Sequence, residues 1–387
     1  MILSHRIALD PTLEQRIALA RACGVARFTW NWALAEWNRQ YAAGEKPTAL
    51  KLKKAWNDVK HEKFPWISES PKDANQQPFT NLGKAFNGFF RKLRSRPSFK
   101  KRGVHDSFYV SNDLFSVDAY TVRLPVVGSV RLMEPLRFAG KVMSGAVSRE
   151  ADRWFLSVTV DVGDDYKREP SVRPAKAVGI DLGLKVAVVT SNGESFDAPK
   201  PLRRYIKTLR RRSRQHSRKQ KGSNSKRKSA MRLARLHRRI KNIRKDWTNK
   251  VTTQIVAKTK LICIEDLNVK GMTANHKMAR ALNDVGFGDF RRQLEYKAPL
   301  YGHRVVVINR WLPTSLTCSA CGVKKESLSL SERVFHCDHC GVEIDRDLNA
   351  AKNILAAGLA VSACGPEGSG CARKRTTKPC RVEAGTR

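Results

Sequence analysis

Apolar positions recur at helical spacing from Thr12 to Gln40, where Leu13, Ile17, Leu19 and Ala20 lead into an aromatic cluster of Phe28, Trp30, Trp32 and Trp37. A second helix is predicted over Leu82–Leu93. From Phe108 to Val162 the period shortens to two: Ser129-Val130-Arg131-Leu132 and Trp154–Val160 alternate, separated by turn residues such as Gly128 and the Gly163-Asp164-Asp165 cluster. Such a pattern describes a small β-domain interrupted by helices.

A new unit begins near Ala175. Ala177–Asp181 and Val186–Thr190 are β-rich, and the turn pair Asn192-Gly193 leads to a third short strand. Leu261–Ile264 and Arg304–Ile308 are short apolar runs of the buried-strand type, with a helix expected between them over about Asp289–Tyr301. Strand hairpins followed by alternating helix and strand indicate an α/β layer fold.

Inside this unit, residues 203–245 hold 20 Lys or Arg and no acid, so the block is read as a surface for a polyanion. It divides at Gly222-Ser223-Asn224-Ser225. Beyond that turn, Leu233, Leu236, Ile240, Ile243, Trp247, Val251 and Ile255 fall at spacings of three and four. They predict one long helix with an apolar stripe on the core and a basic face opposite. The tail Gly365–Arg387 lacks periodicity and is read as disordered.

Composition sharpens the picture. At 387 residues the chain has room for two or three domains, and its 74 Lys and Arg against 35 Asp and Glu give a net charge of +39, which points to nucleic acid. The longest apolar helix candidate, Leu348–Ala360, is too short to span a membrane and contains Lys352, and the Met1–Arg6 start lacks a signal-peptide layout. A cytoplasmic, nucleoid-associated protein without a membrane partner is therefore expected. Nine cysteines, four of them in two C-x-x-C pairs, argue for bound metal rather than disulfides.

Those pairs are Cys318/Cys321 and Cys337/Cys340, in the spacing C-x2-C-x15-C-x2-C. Four thiolates close the tetrahedral shell of Zn²⁺ and leave no open position, so this zinc is structural. Gly322 and Gly341 suit tight knuckle turns with amides aimed at sulfur, and Lys324, Lys325 and Arg333 soften the excess negative charge. His336 and His339 are read as surface residues, and Cys23, Cys263, Cys364, Cys371 and Cys380 as core or tail thiols.

Acids set among apolar strands of a basic protein are a second signal. Asp181 sits in Val178-Gly179-Ile180-Asp181-Leu182-Gly183, with glycines that allow close approach of a backbone or a substrate; Glu265 and Asp266 end the run Leu261–Ile264; Asp345 and Asp347 open a final helix. Ligands of open α/β sheets gather at strand carboxyl ends. Two-metal phosphodiester cleavage needs carboxylates converging from different elements. Asp345 and Asp347, two apart on a helix, face nearly opposite ways, so one of them faces the metals and the other is free to cap the helix.

Taken together, Gly179-Ile-Asp181-Leu-Gly183, Ile264-Glu265-Asp-Leu-Asn268-Val, Thr317-Cys318-Ser-Ala-Cys321-Gly and Asp345-Arg-Asp347-Leu-Asn349-Ala-Ala resemble, in order, the motifs of the TnpB/OrfB proteins of insertion sequences, relatives of type V CRISPR effectors. Leu9–Thr12, Arg27 with Trp30–Leu34, and Pro97–Lys100 extend the resemblance across nearly the whole chain. Trp311-Leu312-Pro313-Thr314-Ser315 stands where Pro-Ser-Ser is expected, and Val285-Gly-Phe287 where a tryptophan is common.

The resemblance implies a multidomain α/β (α+β) protein: a wedge-like β-barrel with a helical recognition insertion over 1–174, an RNase H-like RuvC nuclease domain over 175–312 with the basic insertion 203–255, a four-cysteine zinc ribbon over 313–344, a last RuvC helix over 345–362 and a basic tail over 363–387. It maps the catalytic acids to Asp181, Glu265 and Asp347, which would hold two Mg²⁺ ions. Because Asp347 follows Cys340 by only seven residues, loss of zinc should disturb it.

The expected activity is RNA-guided cleavage of a DNA target, with a guide RNA from the element's end and base pairing supplying specificity. Arg210, Arg211, Arg212, Lys219, Lys226, Arg227, Lys228, Arg238 and Arg239 are the candidate phosphate contacts, joined by Arg91, Lys92, Arg94 and Lys100-Lys101-Arg102. The competing readings are a transposase acting directly on element ends and a non-cleaving nucleic-acid-binding regulator; three retained acids weigh against the regulator.

Overall fold

The computed structural model describes residues 1–170, 172–329 and 331–363. The tail from Gly365, with Cys371 and Cys380, lies outside the described residues, as does Cys364. Two compact units are present: residues 1–166 with 212–238, and residues 167–211 with those from 239 onward.

The first unit opens with β1 (Ile2–Asp10) and α1 (Leu13–Ala42). Thr12 starts α1 through a capping box: its hydroxyl accepts from Gln15 N, and Gln15 Oε1 accepts from Thr12 N. There follow α2 (Ala49–Lys63) and α3 (Lys72–Phe90). Sequence reading does not find α2: of its side chains only Leu52 and Trp56 are buried among many lysines, so the apolar signal is two residues wide. The third helix starts ten residues before the expected Leu82, because Pro78 lies inside it, a residue that normally ends a helical pattern. Aromatic packing joins the three helices, with Trp32 against Trp56 at 4.8 Å and Trp37 stacked on Phe86 at 3.9 Å.

Six further strands complete this unit: β2 (Ser107–Ser111), β3 (Ser116–Asp118), β4 (Thr121–Leu124), β5 (Gly128–Leu132), β6 (Lys141–Glu150) and β7 (Arg153–Asp161). With β1 they form one antiparallel sheet in the order β2-β6-β7-β1-β5-β4-β3. Alternation holds along β7, where Trp154, Leu156, Val158 and Val160 are buried, and Ile7 of β1 pairs with Leu156. The expected barrel is thus a seven-stranded sheet whose hydrogen-bonded order has two ends, β2 and β3, among the described residues.

The second unit starts ahead of the expected 174/175 break: Arg168 N already donates to Leu300 O. Its elements are β8 (Ala175–Asp181), β9 (Val188–Thr190), β10 (Ser195–Phe196), α4 (Pro201–Ser217), α5 (Asn224–Lys258), β11 (Thr259–Glu265), α6 (Val269–Ala274), α7 (His276–Val285), α8 (Phe287–Lys297), β12 (Arg304–Ile308), β13 (Val334–His336), β14 (Glu343–Asp345) and α9 (Arg346–Ala363). Residues 212–238, at the facing ends of α4 and α5, are the part that clusters with the first unit.

Five strands form the central sheet, in the order β10-β9-β8-β11-β12. β8, β11 and β12 are parallel, and β9 and β10 continue from β8 as antiparallel neighbours. Strand alternation assigns the two faces. Val178, Ile180, Ile262 and Ile264 join the core containing Val251, Ile255 and Phe290 from α5 and α8. On the opposite face Cys263 packs with Ile308 and with Ile354 of α9. Gly179 lies on that second face too, and there is no room on it for a side chain: a Cβ would fall 2.1 Å from Ala351 O of α9. Gly358 of α9 seats against Cys263 in the same way. The glycine before Asp181 is therefore explained by a helix backbone lying directly on the strand. Among the described residues, no helix is long and apolar enough to cross a membrane.

Candidate active site, zinc ribbon and basic helices

Asp181 is two residues beyond Gly179, and Glu265 two beyond Cys263, so the same alternation turns both carboxylates toward the α9 face. Ile180 pairs with Ile264, which makes Asp181 and Glu265 near neighbours at the carboxyl ends of adjacent parallel strands. Asp347, in the first turn of α9, reaches the same place. The three acids line one cavity of about 410 Å³, together with Lys185, Thr314, Ser315, Arg333 and Arg346.

Three acids and three cations, Lys185, Arg333 and Arg346, share this cavity, and burial decides how its deepest carboxyl behaves. Burial, then Glu265 and Asp347, push the Asp181 carboxyl up to about 7. Burial also raises Glu265, against the Thr314 hydroxyl, which donates to Glu265 Oε1 at 2.5 Å. Asp347 Oδ1 accepts from Arg346 Nε and Nη2, both at 3.2 Å. These oxygen donors suit a hard divalent cation, whose charge would relieve the repulsion that raises Asp181. The acids do not close around a single point: among the described residues, only the four cysteines bring three or more ligand atoms within 4.8 Å of one another. A two-metal site does not require such closure, because its ligands are shared between ions roughly 4 Å apart.

The neighbouring acids do other work. Asp345 caps α9, its Oδ1 accepting from Asp347 N and Leu348 N, both at 2.9 Å. Asp266 is held by Arg310 and by Arg291, whose guanidinium groups keep its carboxyl below the usual range.

Cys318, Cys321, Cys337 and Cys340 converge as the spacing predicts. The Cys318–Cys340 and Cys321–Cys337 sulfurs are each 3.6 Å apart. Tetrahedral Zn–S bonds of about 2.3 Å require about 3.8 Å, so the cluster fits zinc. The knuckle amides differ from the expectation: Gly322 N and Gly341 N donate to the Cys318 and Cys337 carbonyls, while the amides of Cys340 and His339 reach the Cys337 sulfur and bring its thiol down to about 6. Lys325 meets Asp338 at 3.5 Å, and His336 is exposed beside Glu343.

Sequence reading quotes Asn349 but gives it no role. It is fully buried; its Oδ1 accepts from Ser319 N at 2.8 Å, and its Nδ2 donates to Thr317 O at 2.7 Å. Asn353 Nδ2 also donates to Thr317 O, and to Thr314 O. Two asparagines on successive turns of α9 thus tie the first knuckle to the helix carrying Asp347. The signal was their four-residue spacing on the face turned to the ribbon.

The nine candidate phosphate contacts separate by what holds them. Arg238 is engaged in the fold: its side chain is 14% exposed and ion-paired with Asp152 at 2.6 Å. Lys226 donates to Lys219 O, and Arg212 to Arg232 O. Arg210, Arg211, Arg227, Lys228 and Arg239 are exposed, with Arg239 lying over the Tyr205 ring at 5.3 Å, and Lys219 is half-buried. Asp284, 3% exposed, caps α4 from a distance by accepting from Leu202 N and Arg203 N, both at 2.8 Å.

Three family models match the chain: "Helix-turn-helix domain" of the OrfB IS605 group over residues 1–46, "Probable transposase" (OrfB, IS605) over 157–276, and "Cas12f1-like, TNB domain" over 287–354. Two relatives carry the name "Putative RNA-guided DNA endonuclease". That of Streptomyces pristinaespiralis is 36% identical over 92% of this chain and 89% of its own length. InsQ of Escherichia coli K12 is 33% identical, covering 94% of each. A solved structure described as "Cryo-EM structure of the Cas12f1-sgRNA-target DNA complex" shares the fold, with a TM-score of 0.56 at 16% identity over 88% of this chain and 82% of that one.

Proposed function

The chain belongs to the TnpB/OrfB family of IS605-type insertion sequences, and on that premise we propose that it is an RNA-guided DNA endonuclease with Asp181, Glu265 and Asp347 as its catalytic acids. The observation that carries this reading is the convergence of those acids, from two parallel strands and the last helix, in one cavity that also holds Lys185 and Arg333. When bound there, two Mg²⁺ ions would activate water and stabilise the leaving oxygen of a phosphodiester.

The residues of the chain have distinct parts in this scheme. Asp181, whose carboxyl is raised to about 7 by burial and by its two neighbours, would hold a metal ion in its deprotonated form, so binding there would be proton-linked. Glu265 is oriented by the Thr314 hydroxyl, and Asp347 by the cap that Asp345 places on α9. The cysteine cluster holds a structural zinc, and through Asn349 and Asn353 it fixes the start of α9. Exposed cations of α4 and α5, Arg210, Arg211, Arg227 and Lys228 among them, track the backbones of guide RNA and target DNA, while pairing between the two reads sequence. In this scheme the central sheet with α9 is the RNase H-like RuvC domain, and the first unit is the wedge with its helical recognition insertion.

The test is purification with co-expressed RNA from the element's end, then incubation with matched and mismatched DNA and Mg²⁺. Cutting only of matched DNA, abolished by Asp181→Ala with binding affinity retained, is the expected result. Strand joining at element ends without RNA would replace this reading with that of a direct transposase; unchanged cutting by Asp181→Ala would remove the proposed site.

A further inference from the structure

The loop between β12 and the first cysteine knuckle presents an unusual surface. Trp311 is 83% exposed, and among the described residues no ring or cation stacks on its indole. Single exposed aromatics are common on protein surfaces, and what distinguishes this one is its place beside the acidic cavity. The loop itself is firmly held. Arg310 is ion-paired with Asp266, Trp311 N donates to Asn309 Oδ1, and Leu316 N and Thr317 N both donate to Pro313 O. On the other side, the Thr314 hydroxyl is bonded to Glu265 and the Thr314 carbonyl accepts from Asn353. The residues flanking the indole are therefore fastened to the two consecutive acids that end β11, one of them in the catalytic cluster.

We propose that Trp311 is a stacking platform for a nucleobase of the single DNA strand entering the acidic cavity, a subsite that rests on the endonuclease reading above. Because the loop backbone is already held, ordering on binding is confined to the indole's own side-chain torsions. Two residues of chain separate Trp311 from Thr314 of the cavity lining, so their Cα atoms are at most about 10 Å apart. Lys185 and Arg333 in the cavity lining supply positive charge for the phosphates between the stacked base and the scissile bond. Stacking on an aromatic face accepts every base, so the subsite tethers the strand and does not select sequence.

Two measurements test this on the full chain with its RNA. In the first, a ten-nucleotide oligodeoxythymidylate carrying 5-iodouracil is photocross-linked and the adduct mapped by mass spectrometry. The expected adduct is on Trp311, and Trp311→Ala weakens binding of that oligonucleotide about tenfold, with Trp311→Phe restoring most of it. In the second, an abasic site within three nucleotides of the cut raises KM about tenfold for the wild type and adds nothing further in Trp311→Ala. Adducts confined to other residues, or wild-type binding by Trp311→Ala, overturn the subsite. Failure of the wild type to cut guided DNA would instead sink the endonuclease reading, and the cross-link to the oligonucleotide would still decide the role of Trp311.

Discussion

Replacing Gly179 by alanine tests whether the catalytic geometry depends on a helix backbone lying on a bare strand. The added Cβ would stand 2.1 Å from Ala351 O and 2.6 Å from Leu355 N, whereas ordinary contact begins at 3.4 Å. Both obstacles are backbone atoms of α9, so no side chain can swing aside; the helix must retreat by about 1 Å, and Asp347 with it. Overpacking of this kind costs about 1–3 kcal/mol. At about 2–4 °C per kcal/mol, the melting temperature should fall by at least a few degrees. Misplacement of a catalytic group by about 1 Å costs about a hundredfold in rate. Differential scanning fluorimetry and single-turnover cleavage of guide-matched DNA read the two effects. Gly288→Ala is the control, because its Cβ meets nothing within 4 Å and alanine favours the helix it occupies. Wild-type melting and wild-type cleavage in Gly179→Ala would refute the contact between β8 and α9.

Further outcomes follow from the same geometry. A carboxyl raised from 3.8 to about 7 destabilises the metal-free fold progressively as pH rises through that window and fully above it: Asp181→Asn should raise the melting temperature most at pH 8, the gain shrinking as pH falls below 7 and vanishing below about 4. With the wild type, calorimetric Mg²⁺ affinity should weaken as pH drops through 7; a flat profile would contradict the proton-linked site. Asn349→Ala removes the acceptor of the half-buried Ser319 amide, a loss of about 1 kcal/mol, and should speed zinc release to a colorimetric chelator while all four cysteines remain. Asp284→Ala strips two amides at the start of α4 and should lower the melting temperature without changing zinc content. Zinc release or melting at the wild-type value would contradict the respective contact.

What could be read beforehand depended on how local each signal is. β12 was legible to the residue, because Val305–Ile308 is a continuous apolar run, and α1 to within two residues at its end, because apolar spacing persists to Gln40. The cysteine ribbon was legible from spacing alone. Asp181, Glu265 and Asp266 stood out at strand ends and Asp345 and Asp347 at the start of a helix, but only the family resemblance chose among them, because which face of each strand meets α9 is contained in no local window. Helix α2 was missed because its buried stripe is two residues wide, and the start of α3 because Pro78 imitates a terminus. The division of labour among the basic residues was invisible as well: nothing near Arg238 in sequence announces Asp152, 86 residues away. Likewise the cap on α4 comes from Asp284 of α7, beyond α5, β11 and α6.

The order in which the acids leave the ribosome has a consequence of its own. Asp181 and Glu265 emerge early, on strands whose shared face stays bare until the final helix is made, and Asp347 emerges with that helix. A translation product interrupted between Glu265 and Asp347 carries two of the three carboxylates and leaves Gly179 of β8 uncovered. Such a fragment lacks both the third acid of the proposed site and the helix that closes that face of the sheet, so the site can assemble only once the last described helix has been made.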